Sequence, residues 1–241
     1  MSAAMSDATA PPLTVTIEDD VAVVRLDDGK VNVVSHRLIE LVHAALDQAT
    51  ADARAVAFIG REGKLSAGFD LTEMTAGIER TQALVGAGGR LLMRIFGHPQ
   101  PVVVAVTGHA LAAGALLVLS CDSRIAGDGP AKIGLNETAI GMGLPRYAVE
   151  LAQARLAPAH LTRAAVQAEI YDPAGAVEAG YVDRVVPAAA CAATAIAEAR
   201  RLGELRTSAY SHTKLALRQG IIDRVLAGID ADMASLTAPS P

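Results

Sequence analysis

A run of β-branched and apolar residues, Pro101 to Val106 (PVVVAV), passes at Thr107-Gly108 into the stretch Gly108 to Asp122, GHALAAGALLVLSCD. The first run has the length of a buried strand and the second that of a buried helix. The segment therefore predicts a strand that turns sharply into a helix at about Gly108. Small residues fill the turn: Gly108, Ala110, Ala112, Ala113 and Gly114 allow a ligand or another chain to approach the backbone closely. The first amides of such a helix lack intrahelical partners and lie at the positive end of its dipole, so they can hold an oxygen that gains negative charge. The same pattern also fits a buried helix packed closely through small residues.

The chain around this segment has 241 residues, 51% of them hydrophobic, which suits one large α/β domain or a core with an appended helical part. Aromatic residues make up only 3% and there is no Trp, so the core is built from Ala, Val, Leu and Ile. The formal charge is −5, from 21 basic and 26 acidic residues, without a block of Lys and Arg. That balance argues against a nucleic-acid partner. Cys121 and Cys191 lie far apart with no CxxC and no His at metal spacing, and read as free buried thiols of a reducing cytosol rather than a disulfide. The N-terminal MSAAMSDATAPP lacks a charged region and an apolar core, and the longest apolar run, within Ala110 to Leu119, is too short to span a bilayer. A soluble cytoplasmic protein with no membrane partner is expected.

In chain order, residues 1–12 are expected to form a disordered tail. Leu13 to Ile17 and Val21 to Leu26 predict a hairpin. Ser35 is placed to cap a helix carrying Leu38, Val42, Ala45, Leu46 and Ala49, and Arg54 to Ile59 predicts the next strand. Gly63 to Leu71 reads as a loop of small residues beyond a strand end, where ligands bind in α/β folds. Thr72 to His98, with Gly86, Gly88 and Gly89, is expected to be mobile and only partly helical. Short strands are predicted at Ser123 to Ala126 and Lys132 to Gly134, and a late one at Tyr181 to Val186. Helices are predicted at Arg146 to Leu156, Pro158 to Ala168 and Pro173 to Ala179. From Pro187 onward the chain reads as helical, a region expected to dock on a neighbouring subunit.

Several chemistries fail on spacing. Ser66 is not flanked as a hydrolase nucleophile requires, Gly86, Gly88 and Gly89 do not follow a strand as a dinucleotide loop would, and no P-loop or HExxH occurs. What remains is two small-residue turns, Ala67-Gly68 and Ala113-Gly114, each beyond an apolar strand, and the carboxylate of Glu137 among apolar and glycine residues. Paired amides from such turns stabilise an enolate or a tetrahedral oxyanion. A carboxyl in apolar surroundings rises toward neutrality, as a general base requires. Taken alone, Glu137 reads either as that base or as a solvated loop carboxylate.

Four motifs taken together resemble the enoyl-CoA hydratase/isomerase (crotonase) family: KVN at Lys30 to Asn32, LSAGFDLTEM at Leu65 to Met74, PVVVAVTGHALAAGALLVLSCD at Pro101 to Asp122, and NETAIGM at Asn136 to Met142. The likeness runs from about Leu13 to Val186. It implies a crotonase-like spiral of ββα units over residues 13–186 and a helical trimerisation region over 187–241, in a homotrimer or a hexamer made of two trimers. The implied ligand is an acyl-CoA thioester, with coenzyme A as part of the substrate and no separate cofactor or metal. The amides of Ala67 and Ala113 are implied as the oxyanion hole, with Glu137 as acid/base. Backbone around Leu65, Ala67 and Phe69 is implied to read the adenine, and Lys30 is either a phosphate contact or an ordinary turn lysine. Val31, Gly68, Asp70 and Leu71 are further implied substrate contacts. So are His109, Leu111, Leu116 and Asn136.

The departure from the family is informative. Its two-glutamate hydratases carry an acid three residues after the second oxyanion amide, where this chain has Leu116, so an apolar side chain is expected toward the acyl group. Water addition needs a held and oriented water, which one glutamate does poorly, whereas one base can carry a proton from C2 to C4. The pattern therefore favours double-bond isomerisation. Hydration, with Asp70 or Glu73 as a second acid, and a catalytically silent acyl-CoA-binding protein are the alternatives. Gly143 to Tyr147, in place of the family's glycine-rich turn, leaves the shape of the acyl pocket open.

Overall fold

The computed structural model describes residues 11–236. Most of the tail expected over residues 1–12 lies outside them, and Pro12 is already tied down, accepting the Asp27 N–H at 3.0 Å. The chain runs through β1 (Leu13–Glu18) and β2 (Val21–Leu26), an antiparallel hairpin whose turn places Asp19 and Asp20 at positive φ. Then come α1 (His36–Asp52), β3 (Ala55–Gly60) and β4 (Gly63–Ser66). Ser35 caps α1 as expected, its side chain accepting the Leu38 N–H at 3.2 Å. The segment read as a loop from Gly63 is thus a strand up to Ser66.

A short helix, α2 (Leu71–Met74), precedes the long α3 (Ile78–Phe96), then β5 (Val102–Val106), β6 (Gly108–Leu111) and α4 (Ala113–Ser120). Two expectations are corrected here. The central helix starts at Ala113 rather than at about Gly108, because β6 occupies the interval and pairs in parallel with β4. The stretch expected to be mobile is largely one 19-residue helix with its glycines buried. The chain continues with β7 (Ser123–Gly127), β8 (Ile133–Gly134), α5 (Arg146–Arg155), α6 (Pro158–Ala165), α7 (Pro173–Ala179), β9 (Arg184–Val186), α8 (Cys191–Gly203) and α9 (Thr207–Ser235). The late strand is shorter than predicted, since Tyr181 and Val182 pack in the core as a turn following α7.

Two sheets result, ordered β1-β2-β3-β5-β7-β9 and β4-β6-β8; apart from the β1-β2 hairpin, these strands pair with one another in parallel. Successive side chains point to opposite faces of a strand. Ala22, Val24, Val56, Phe58, Val102 and Val104 accordingly face the main core, with α1, α3, α4 and α5. Val21, Val23, Ala55, Ala57, Val103 and Ala105 face a second core closed by Cys191, Ala195 and Ala199 of α8. Both faces of the larger sheet are thereby covered, which explains its nearly continuous apolar strands. Cys121 and Cys191 are free and buried. Helix α9 packs on α3 and α5. No helix among the described residues is long and apolar enough to cross a membrane.

The α3 glycines make room for rings. A Cβ on Gly88 would lie 2.5 Å from Phe69 Cε1, and one on Gly89 would lie 2.5 Å from Tyr147 Cδ1. Gly to Ala inside a helix normally stabilises by about 1 kcal/mol. For Gly89→Ala the sign reverses: displacing a buried ring costs about 1–3 kcal/mol, and chemical denaturation is expected to show a net loss of stability.

Candidate active site

The site begins with an anchor, Asn32, that closes the KVN motif and to which the sequence assigns no role. Asn32 adopts φ 54°, a left-handed conformation that Asn tolerates, and is buried. Its Nδ2 donates to Leu26 O at 2.9 Å and Leu65 O at 3.0 Å, and its Oδ1 accepts the Asp28 N–H at 2.9 Å. Ser66 Oγ donates to Asn32 O at 2.6 Å and accepts the Gly68 N–H at 3.3 Å. These bonds hold the turn after β2 against the end of β4.

The next residues decide which amide is free. Ala67 N–H donates to Val31 O at 3.0 Å, so it is not available to a substrate oxygen, and the assignment of Ala67 to the oxyanion hole is corrected. Val34 donates to Gly68 O at 2.8 Å and accepts the Asp70 N–H at 3.1 Å, a parallel bridge centred on Phe69. In such a bridge the central residue's own N–H points to the opposite side. The Phe69 N–H accordingly has no acceptor among the described residues.

The second turn abuts the first. Gly68 has φ 104°, and a Cβ there would lie 3.0 Å from Ala112 Cβ and 3.6 Å from Ala113 N. A Cβ on Gly114 would lie 2.4 Å from Ser66 O. Glycine at both positions lets the two turns touch. Ala112 is held at φ 51° and ψ −122°, a conformation unusual for a residue with a Cβ, and its N–H donates to Gly134 O at 3.1 Å. Ala113 opens α4, so its N–H has no intrahelical acceptor.

Glu137 stands on a tight turn whose carbonyls are taken up locally. Asn136 O accepts the Ala139 N–H at 3.1 Å, Glu137 O accepts the Met142 N–H at 2.9 Å, and Gly141 at φ 78° closes the turn. The Glu137 side chain is buried, and Oε2 has no partner among the described residues. Burial pushes its carboxyl up from 4.5 to about 7, its own backbone N–H opposing only in part. Ala67, Phe69, Ala112, Asn136, Glu137 and Tyr147 share one cavity of about 270 Å³. Val31 and Leu71 also line it, and Glu137 is the only carboxylate among the lining residues.

The other expected residues divide. Asp70 caps α2, accepting the Thr72 N–H at 2.8 Å, and Glu73 pairs with His36; neither lines the cavity. Leu116 is buried in the main core and is not among the residues lining this cavity. His109 Nδ1 accepts the Lys132 N–H at 2.9 Å, Leu65 is fully buried, and Leu111 flanks the second turn; none of the three lines the cavity. Lys30 is exposed on the turn before Asn32, with its carbonyl accepting Arg61 Nη1 at 2.9 Å. No group of three or more potential metal-ligating side chains occurs among the described residues.

The raised carboxyl of Glu137 carries a stability consequence. A carboxyl that is harder to ionise folded than unfolded contributes stability below its unfolded value, and that stability is lost as pH rises through about 7. Lifting it from 4.5 to about 7 corresponds to about 3 kcal/mol. Glu137→Gln is therefore expected to be more stable than the parent at about pH 9 and nearly equal at about pH 4, read by denaturant titration at both.

The profile of the enoyl-CoA hydratase/isomerase family matches residues 16–240. A solved structure of an enoyl-CoA hydratase/isomerase family protein from Pseudomonas syringae superposes with a TM-score of 0.92 at 40% identity, covering 95% of this chain and 100% of that one. Human mitochondrial enoyl-CoA delta isomerase 1 is 31% identical over 183 residues, 74% of this chain and 60% of its own length. A probable enoyl-CoA hydratase of Bacillus subtilis is 34% identical over 147 residues, 56% of this chain and 57% of its own length. The chain thus spans less than two thirds of the length of these two curated relatives.

Proposed function

Because the chain belongs to the enoyl-CoA hydratase/isomerase family, we propose that it binds an enoyl-CoA thioester in the Glu137 cavity and moves its double bond from C3 to C2. The observation that carries this reading is the single buried carboxylate in a cavity shared with Phe69 and Ala112, residues of two adjoining turns in which the N–H groups of Phe69 and Ala113 are free. The N–H groups of Phe69 and Ala113 hold the thioester oxygen. Glu137, ionised, takes a proton from C2, and the electron pair of the broken C–H bond passes into the thioester carbonyl as a dienolate. The amides are aimed at that developing charge, where such stabilisation is most effective. Glu137 then returns the proton at C4, and the electrons close the C2=C3 bond. One group serves as base and then acid, which suits a carboxyl near 7.

Hydration of a 2-enoyl-CoA is the competing reaction. Efficient hydration calls for a second group to orient water, and no second carboxylate lines the cavity, Asp70 and Glu73 being engaged elsewhere. The test is to give the purified protein 3-enoyl-CoA and 2-enoyl-CoA in parallel. Conversion of the first should exceed hydration of the second, and hydration without isomerisation would reject the reading. The trimer contacts are proposed to lie on the helical C-terminal region, where α9 leaves Leu217 78% and Leu226 44% exposed. Light scattering of the purified protein should give the mass of a trimer or a multiple of it.

A further inference from the structure

Phe69 stands between two cavities. It lines the Glu137 cavity of about 270 Å³ and also a second, apolar cavity of about 30 Å³ between α1, α3 and α4, whose wall includes Leu38, Val42, Leu92 and Leu117. Phe69 is the only residue common to both walls. Elsewhere, neighbours in the chain face opposite ways: Val33, Ala67 and Ala112 line the Glu137 cavity, and Val34, Ser66 and Ala113 line the second one. The two spaces therefore lie back to back, and Phe69 spans them. Its backbone belongs to the turn that borders the Glu137 cavity, and its ring tip rests at Gly88, a wall residue of the second. A Cβ on Gly88 would lie 2.5 Å from Cε1 and 2.6 Å from Cζ, so the ring meets the α3 backbone directly and is held there. Ser66 supplies the only polar side chain of the second cavity, and its Oγ is already engaged with Asn32 O and the Gly68 N–H.

The lining of an apolar cavity lacks dispersion partners, and an alkyl chain that fills such a space gains both those contacts and its own removal from water. With the ring in place, the outer carbons of an acyl chain in the Glu137 cavity have no passage into the second one. We propose that Phe69 sets the length of acyl chain that the site accepts: its ring closes the Glu137 cavity on the side of α1 and α3 and confines the substrate to a short acyl group. A smaller side chain at this position would join the two cavities while leaving the backbone N–H in place, so that a longer chain could pass between α1 and α3. The inference rests on the acyl-CoA reading of the site.

The test is calorimetric binding of hexanoyl-CoA and dodecanoyl-CoA, saturated ligands with no double bond to move, to the parent, to Phe69→Ala and to the milder Phe69→Leu. The parent should bind dodecanoyl-CoA no tighter than hexanoyl-CoA. Phe69→Ala should raise the preference for the longer ligand by about tenfold or more, the gain from burying roughly two further methylenes. Phe69→Leu should raise it less. A general loosening of the fold weakens both ligands and leaves their ratio unmoved. Adding Val42→Phe to Phe69→Ala refills the second cavity from α1 and should return the ratio toward the parent's. A parent that already prefers dodecanoyl-CoA, a ratio unchanged in both ring variants, or a raised ratio that survives the refilling overturns the inference while leaving the acyl-CoA site standing. Failure of both ligands to bind the parent overturns the acyl-CoA reading itself and the inference with it.

Discussion

Glu137→Gln is expected to lower the isomerisation rate roughly 10²- to 10⁴-fold, the usual contribution of a positioned general base. The substitution keeps the size and most of the shape of the side chain. It removes the one carboxylate that lines the cavity, and no other acid there can take over. Binding of acyl-CoA should change far less, because the amides of Phe69 and Ala113 are untouched. In the parent protein, kcat/KM should fall as pH drops below about 7, where Glu137 becomes protonated and can no longer accept the C2 proton. The Gln variant's residual rate should lack that acid limb. A loss within a few fold, or an unchanged acid limb, would remove Glu137 from the reaction. Because the same substitution is expected to stabilise the fold at high pH, lost activity with raised stability separates a chemical effect from unfolding.

Asp122→Ala should destabilise the fold by about 3–5 kcal/mol, as is typical when one partner of a buried ion pair is removed. Asp122 ends the central segment with its side chain only 6% exposed, between Lys214 Nζ at 2.6 Å and Arg218 Nη1 at 2.6 Å. It also accepts the Val102 N–H at 2.8 Å. Lys214 further donates to His98 O at 2.7 Å and Gln100 O at 2.9 Å, so one cluster ties α9 to the segment entering β5. Burial lowers Lys214 to about 8, while Asp122 acts to hold its charge. Without the carboxylate, two cations and a backbone amide are left without their partner. Denaturant unfolding near neutral pH measures the effect. A loss below about 1 kcal/mol, the scale of an exposed pair, would show that the cluster contributes little.

How far the sequence reveals this molecule depends on the range of the interactions involved. The strands β2, β3 and β5 were legible because burial on both faces makes them runs of Val, Ile and Ala. Ser35 and the bounds of α7 were legible because caps and Pro-Gly punctuation act locally. The strand β6 was not: GHAL is too short to show a period, and its pairing with β4 joins residues far apart in the chain. The glycines of α3 suggested a break because glycine disfavours helix, yet the Phe69 and Tyr147 rings that fill the space come from other segments.

The candidate site divides the same way. Glu137 was found from its apolar and glycine neighbours. The motif points to Ala67 for the free amide of the first turn, two residues before Phe69, where the structure has it. In a regular strand the N–H groups of Ala67 and Phe69 would point to the same side; Gly68 at φ 104° turns the chain between them, so that Ala67 N–H meets Val31 O while the Phe69 N–H, central in the bridge to Val34, points away. Leu116 stands where the resemblance places a second acid and is buried in the core, while Tyr147 and Asn136 are among the residues of the cavity wall.

In the proposed isomerisation one buried carboxyl carries a single proton from C2 to C4. This transfer is tested most directly by following that proton in a 3-enoyl-CoA bearing deuterium at both C2 positions. Glu137 is 8% exposed, so its acquired deuteron is shielded from solvent during the transfer. Mass spectrometry and NMR of the 2-enoyl-CoA formed early in the reaction should find deuterium at C4 in a substantial share of the product, and Glu137→Gln should abolish its formation. Product whose new C4 hydrogen comes entirely from water, formed at a similar rate by the Gln variant, would rule out proton transfer by Glu137.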